Sequence, residues 1–529
     1  MDTYDALILG AGHNGLVAAA YLARAGRSVL VVERRREIGG LAATEEVAAG
    51  TGFRCGAVFS SVESFSPEIA AELGLAERGL KLLPSGGFLA LGDEGRTLFF
   101  PPPADGSDAA PASLDALSAD DAAAFVDFDC LLRRLADALA PVLGAPLPDL
   151  EPSAPAGYLD LLWPALRLRR LGRRDLAEAM RLLPMPIADA VDERFADPLL
   201  RAAAASGGLT GSWLAPRSPG SVLNLMLHRC GGRRGLIGYP RFAAGGPGAL
   251  ADALAAAAKD AGAEIRTGAE VERILVDGGE TSGVALAGGE EIRAGAVVSG
   301  ADPRRTLLGL VDPRHLEPSF LRAARNVRCR GTVAIACFAL DRLPELGGVA
   351  DPEKLRGRIQ IGASVDDLEQ AFDDAKYGRL PRRPYLDVTI PSIADPGLAP
   401  AGKHVLHAWV QYPPYHLRDR GWDDARDELA DIVERTIAEV SPRFSDAVLD
   451  RRVTTPADLE RRFGVTEGCV YHLEPALDQE LYLRPLPRWA GYRTPVRGLY
   501  LCGSGTHGGG GLTGLPGRNA ARVVLKDLR

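Results

Sequence analysis

Three glycines near the start of the chain stand where a backbone can close over a diphosphate. Gly10-Ala11-Gly12-His13-Asn14-Gly15 has the G-x-G-x-x-G spacing, and Glu33 follows 18 residues after Gly15. The chemistry of that pattern is dinucleotide binding. Gly10 permits a tight turn, Gly12 lets the backbone approach a pyrophosphate, and Gly15 lets a helix pack closely on a strand. Free N–H groups at the helix start, and the helix dipole behind them, attract phosphate. His13 and Asn14 sit inside this turn, where His13 also reads as simple loop packing. The Glu33 carboxylate is placed to accept ribose hydroxyls and would repel a 2′-phosphate.

The glycines alone would also suit an ordinary loop, so the elements around them carry the weight. Ala6–Leu9 is a short apolar run bounded by glycine, the pattern of a buried parallel strand. Leu16–Ala25 is rich in small residues and closes on Gly26, as a helix does, and Ser28–Val32 forms a second apolar run ending in Glu33. Strand, turn, helix, strand and acid therefore occur in the order that a nucleotide-binding unit requires. Beyond Glu33, Arg34 can neutralise a diphosphate and the pair Gly39-Gly40 can pass close over it. The alternative there is a solvated basic loop with a glycine turn.

The far end of the chain repeats the theme. Gly498–Gly503 is an apolar strand ending in glycine, Ser504–Gly517 is a long glycine-rich loop, and Arg518–Leu525 reads as a helix. A strand, a glycine loop and a helix start make a second anion site, with Gly503, Ser504, Gly514 and Leu515 as its candidate contacts. Both termini are thus expected to clasp one dinucleotide cofactor.

With these residues in view, the chain resembles the phytoene desaturase-related flavoproteins of the amine oxidase superfamily. It is most similar to the group of pyridine nucleotide-disulphide oxidoreductase domain-containing protein 2. The resemblance runs through Glu33-Arg34-Arg35, Gly39-Gly40 with Thr44-Glu45-Glu46, Ser218-Pro219-Gly220-Ser221, Tyr239-Pro240, Gly245-Gly246, Gly268–Val271, Arg493-Thr494-Pro495 and Leu499–Ala521. It implies that Gly39, Gly40 and Thr44 belong to the FAD loop and that the Val271 backbone meets the adenine. Gly508 stands where many relatives have proline, and the region 101–200 aligns poorly. The implied fold is α/β: a discontinuous Rossmann-like FAD-binding domain with an inserted α+β substrate domain containing a mixed sheet. The disulphide reductase part of the group's name finds no match, because no C-x-x-C and no second strand–G-x-G-x-x-G–helix unit for NAD(P)H occurs.

The expected FAD-binding domain comprises 1–95, 240–305 and 481–529, and the substrate-binding domain 96–239 and 306–480. Residues 101–112 read as a proline- and alanine-rich connector, Asp120–Ala140 as an amphipathic helix, and Ala249–Ala261 as an alanine-rich one. Val333–Leu340 and Val405–Val410 read as strands. Leu161–Arg174 mixes apolar residues with five arginines, which suits either a solvated helix face or docking on an anionic membrane. No stretch of about 18 uninterrupted apolar residues occurs and no signal peptide is evident, so a cytoplasmic protein, with or without peripheral membrane contact, is expected. A net charge of −8 argues against general nucleic-acid binding. Seven dispersed cysteines read as reduced thiols, and eight histidines without zinc-type spacing argue against a metal site.

The expected reaction is hydride removal from a C–H bond of an apolar or isoprenoid-like molecule. Reduced flavin would then pass electrons to oxygen, a quinone or another acceptor. His507 in the glycine loop is the candidate acid/base, with a purely structural role as its alternative. His472 and Tyr471 are weaker candidates, and Cys502 reads as core rather than as a covalent flavin anchor. Three rival readings remain at this stage: a flavin amine or amino-acid oxidase releasing hydrogen peroxide, a saturase, and a non-catalytic lipid-binding protein of the same fold.

Overall fold

The computed structural model describes residues 3–84, 86–102, 114, 116–148, 157–232 and 236–528. Two seven-stranded sheets organise them. In the first, the strands Glu264–Thr267, Val29–Glu33, Thr3–Leu9 and Glu291–Ser299 lie side by side and parallel, and Leu499–Leu501 adds in parallel to the end of the last one. Val271–Asp277 and Glu280–Leu286 complete this sheet as an antiparallel hairpin. In the second sheet every neighbouring pair is antiparallel except Arg358–Ile361 against Phe88–Leu91, so it is mixed.

The central strands of the first sheet, Thr3–Leu9 and Val29–Glu33 with the end of Glu291–Ser299, are buried on both faces, which explains their apolar runs, whereas Glu264–Thr267 and Val271–Asp277 are largely exposed. On one face lie three helices, the alanine-rich His13–Arg24 and Gly248–Asp260 and the helix Leu515–Asp527, with Ala18, Ala19, Ala20, Ala253 and Ala520 in the same core. Small residues allow the backbones to approach. A Cβ added to Gly15 would lie 2.1 Å from the Gly10 carbonyl oxygen, and one added to Gly517 would lie 2.2 Å from that of Asn14. Gly15 thus seats the first helix on its turn, and Gly517 brings the helix Leu515–Asp527 against the first one.

The second sheet carries helices on both sides. The strand Val333–Leu340 is buried throughout and alternates its side chains between two cores. Ala334, Ala336 and Phe338 pack with the Trp422–Val440 helix, whereas Val333, Ile335 and Cys337 face Phe53 and Cys55 of the first domain. Cys55 and Cys337, far apart in sequence, bring their sulfurs to 3.1 Å, although all seven cysteines are free. A further helical layer, including Ala119–Leu143 and Ser221–Cys230, packs on Phe88, Ala90 and Phe100. Between these helices Arg229 donates to Asp129 at 3.0 Å, and both side chains are nearly excluded from water.

The expected α/β architecture and the strands at 333–340 and 405–410 match, the latter within His404–Gln411. The domain crossings differ. Phe88–Leu91 already belongs to the second sheet, so the chain crosses before residue 95. The helix Pro318–Asn326 contributes Phe320 and Ala324 to the core that contains Leu7 and Val297 of the first sheet, so the return crossing lies beyond residue 305. Apolar segments of this length suit either sheet, and only tertiary packing assigns them. The connector expected at 101–112 lies almost wholly outside the described residues.

Candidate functional site

A long cavity runs along the carboxyl ends of the parallel strands, where open α/β sheets hold their ligands. It encloses about 1070 Å³ of atom-free space, part of it open to solvent. At one end the Glu33 side chain turns back under the glycine turn. Its Oε2 accepts the Ala11 N–H at 2.8 Å and its Oε1 accepts the Arg35 N–H at 2.9 Å. Each oxygen keeps further acceptor capacity, and Glu33 lines the cavity. Arg34, Glu270, Val271 and Arg305 line the same end. Burial, together with the neighbouring Arg305, holds the Arg34 guanidinium below its usual range, a cost that an anionic ligand would relieve.

The turn follows. Gly12 caps the His13–Arg24 helix with an extended backbone and no side-chain bond, leaving first-turn N–H groups directed at the cavity. An added Cβ at Gly12 meets nothing within 4 Å, so the glycine keeps space open rather than avoiding a protein clash. Asn14 Nδ2 donates to Ser504 Oγ at 3.2 Å, which joins the first turn to the last loop. Three buried polar atoms on this wall lack partners among the described residues: His13 Nε2, Asn14 Oδ1 and His472 Nδ1. Native structures leave few such atoms unpaired, and their convergence on one channel fits a polar ligand. Burial lowers His13 to about 3 and His472 to about 4, so both rings are neutral at pH 7. Carboxylate, helix start, paired arginines and orphaned polar atoms together fit the ribose and diphosphate of FAD.

Of the residues expected to touch the cofactor, Gly10, Gly12, His13, Asn14, Gly15, Glu33, Arg34, Gly40, Val271 and Ser504 line this cavity. Gly39, Thr44, Gly503, Gly514 and Leu515 stand outside the lining. Gly39 donates its N–H to the Ala11 carbonyl. Thr44 Oγ1 accepts the Gly248 N–H at 2.8 Å and so secures the start of the Gly248–Asp260 helix. Gly503 packs near the Gly300 carbonyl and His472, Gly514 caps the last helix, and Leu515 lies in the apolar core. These five support the wall from behind.

His507 requires a correction. Its Nε2 donates to the Val142 carbonyl at 2.9 Å, it is fully buried, and it lines neither this cavity nor the one adjoining it. It holds the glycine loop to the end of the Ala119–Leu143 helix, which is its structural alternative. Sequence reasoning also missed Asp302 and Arg305, which follow the strand Glu291–Ser299, and underrated His472. The first two had a signal, since they directly succeed a parallel strand's carboxyl end.

A second cavity adjoins the first at Phe59 and Gly511. Its wall combines Phe59, Leu227, Trp409 and Tyr471 with three carboxyl groups. Two of these are neutralised. Asp387 accepts from Arg358 at 2.6 Å, and Arg358 also donates to the Ile237 carbonyl and to Tyr385. Glu480 accepts from Arg484 at 2.9 Å, and Arg484 further donates to the carbonyls of Tyr471 and Ser504. The third, Glu63, accepts from the Ser61 hydroxyl and feels the Arg358 guanidinium at a distance, but forms no ion pair of its own among the described residues. Burial pushes its carboxyl upward. His228 and His407 donate to backbone carbonyls at Gly207 and Val58, and burial lowers both to about 4.

Replacing Glu33 with Ala is expected to weaken FAD binding about 10–100-fold, because hydrogen bonds to a charged group contribute roughly 1.5–3 kcal/mol. Fluorescence titration of apoprotein with FAD measures this, and an unchanged affinity would remove Glu33 from the site.

Comparison with known proteins agrees with this geometry. The family model for flavin containing amine oxidoreductase matches residues 15–525. A rat protein named pyridine nucleotide-disulfide oxidoreductase domain-containing protein 2 is 38% identical, covering 99% of this chain and 94% of its own. One of the chains of the limonene dehydrogenase of Castellaniella defragrans is 28% identical over 99% of this chain and 95% of its own. Cyclohexylamine oxidase of Brevibacterium oxydans shares the fold, with a TM-score of 0.59, 18% identity and 99% of both chains covered.

Proposed function

The chain belongs to the flavin containing amine oxidoreductase family and is an FAD-dependent oxidoreductase, and we propose that it removes hydride from a C–H bond of a small molecule with an apolar body. The single observation that carries this reading is the meeting of the two cavities at Phe59 and Gly511. It gives a bound substrate a route to the cofactor channel. The similarity to a limonene dehydrogenase chain supports an isoprenoid-like substrate.

FAD, when bound, supplies a two-electron acceptor for hydride. The chain supplies the rest. Phe59, Leu227, Trp409 and Tyr471 offer an apolar wall that excludes water from the reacting bond. Arg358 and Arg484 are engaged by protein acceptors, so they shape the wall rather than capture an anion. The Glu63 carboxyl, raised by burial, can hold or receive a proton at one oxygen beside the substrate. Oxygen, a quinone or another acceptor is proposed to take the electrons onward.

A second reading rests on two observations. Glu63 forms no ion pair among the described residues, its nearest noted cation, Arg358, being bonded to Asp387, and the Phe59 and Trp409 rings stand 5.6 Å apart at the junction. An amine substrate would meet both features, and the fold is shared with a cyclohexylamine oxidase.

Anaerobic mixing with a panel of cyclic terpenes and alkylamines separates the readings. Bleaching of the flavin by terpenes, with a new C=C bond in the product, is the expected result. Bleaching by amines alone, followed by peroxide release on admitting oxygen, would replace the first reading with the second. Rapid bleaching by NADH or NADPH would overturn the proposed electron acceptor.

A further inference from the structure

We infer that the hairpin formed by the helices Gly157–Arg169 and Gly172–Leu182 docks this protein on an anionic lipid surface. Leu162 and Leu166 are 53% and 56% exposed, and Trp163 stands beside them at 37%. At 3.6 residues per turn these three positions fall within a sector of about 100° on one face of the first helix. Arginines frame that sector. Arg167 places its guanidinium over the Trp163 ring at 5.5 Å, and Arg169 and Arg170 follow at the helix end. Arg173 and Arg174 stand exposed at the start of the second helix.

None of these five arginines forms an ion pair among the described residues, although most other arginine clusters of the protein are interlaced with carboxylates. The chain as a whole carries a net charge of −8. A positive, unpaired patch on a negative protein calls for an anionic partner. The exposed leucines and tryptophan choose among anionic partners. A nucleic acid would satisfy the guanidiniums and leave both leucines in water. A lipid surface satisfies both, because phosphate headgroups meet the arginines while the apolar side chains enter the acyl boundary. No helix among the described residues is long and apolar enough to cross a membrane, so the contact is peripheral.

The position of the hairpin gives the docking a use. The Ala119–Leu143 helix packs against both hairpin helices and against Ser221–Cys230. Asn224, Leu227 and His228 of that last helix line the second cavity. Docking therefore sets one wall of the cavity's helical layer next to a bilayer.

The test uses the full-length FAD-loaded protein and sedimentation with vesicles of phosphatidylcholine alone or mixed with phosphatidylglycerol. Wild type is expected to bind the mixed vesicles, release with salt, and ignore the neutral ones. Reversing four charges (R169E, R170E, R173E and R174E) is expected to lower the partition coefficient at least about tenfold. Leu162→Asp with Leu166→Asp is expected to do the same with every arginine intact, and Trp163 emission should shift to the blue only where binding occurs. Retained flavin absorbance reports that each variant is folded. Failure of wild type to bind mixed vesicles, or full binding by the two-leucine variant, overturns the inference, as does self-association through this patch without lipid affinity.

Discussion

Gly12→Asp is expected to yield a folded, colourless protein. Gly12 has φ −73° and ψ 169°, the extended geometry of a helix cap, and an added Cβ there meets no protein atom within 4 Å. Aspartate is a favoured residue at such a cap, so the apoprotein should keep or slightly raise its stability. The same carboxylate would stand in the channel where the diphosphate must lie. Two like charges about 4 Å apart near a protein surface repel by roughly 4 kcal/mol, enough for a loss of about 100–1000-fold in FAD affinity. Gly15→Ala is the informative contrast. Its Cβ would lie 2.1 Å from the Gly10 carbonyl oxygen, so the helix must move off the strand. Destabilisation of about 1–3 kcal/mol is expected there, together with loss of cofactor. Thermal melting of the apoproteins and FAD titration measure the two effects separately. If Gly12→Asp binds FAD normally, this channel does not hold the diphosphate.

The contrast also shows what kind of information a sequence carries. Gly10, Gly12, Gly15 and Glu33 lie within one strand–helix–strand unit, so their mutual geometry follows from local rules. The convergence of the termini was readable because each end carries its own glycine loop, and Asn14 meets Ser504 as that reading requires. Thr44 and His507 were misplaced for one shared reason. Each lies in a segment near the cofactor channel, but the direction of its side chain is set by a partner far away in sequence: Gly248 for Thr44, and Val142 for His507. Of the second cavity's wall, Tyr471 was legible as a weak catalytic candidate and no more. Glu63, Arg358, Asp387 and Arg484 come from segments scattered over more than 400 residues, and no spacing rule connects them.

Acidification is expected to unfold this protein well before its carboxylates are fully protonated. Five histidines are held neutral by burial: His13 at about 3, and His228, His407, His472 and His507 at about 4. An unfolded histidine titrates near 6.5. Because each folded value is depressed, the unfolded chain binds protons that the native state refuses as pH falls below about 6.5. Stability is therefore complete above that value and is lost on the way down to about 4. Glu480 opposes the trend. Burial raises it to about 7 despite Arg484, so it protonates in the folded state first and lends stability as pH falls toward its unfolded value. Asp302 and Glu63 are raised in the same sense. Five histidines outnumber these three carboxyl groups, so stability falls on acidification, by about 1.4 kcal/mol per pH unit for each net proton. A whole domain has only about 5–15 kcal/mol to lose. The melting temperature should consequently be level above about pH 7 and fall steeply between about pH 6.5 and 5. His507→Gln should flatten the slope by one histidine's share, since the amide can still donate to the Val142 carbonyl without titrating. Circular dichroism melts across this range decide the matter. A melting temperature unchanged between about pH 6.5 and 5 would mean that the buried imidazoles reach water as easily in the native protein as in the unfolded chain.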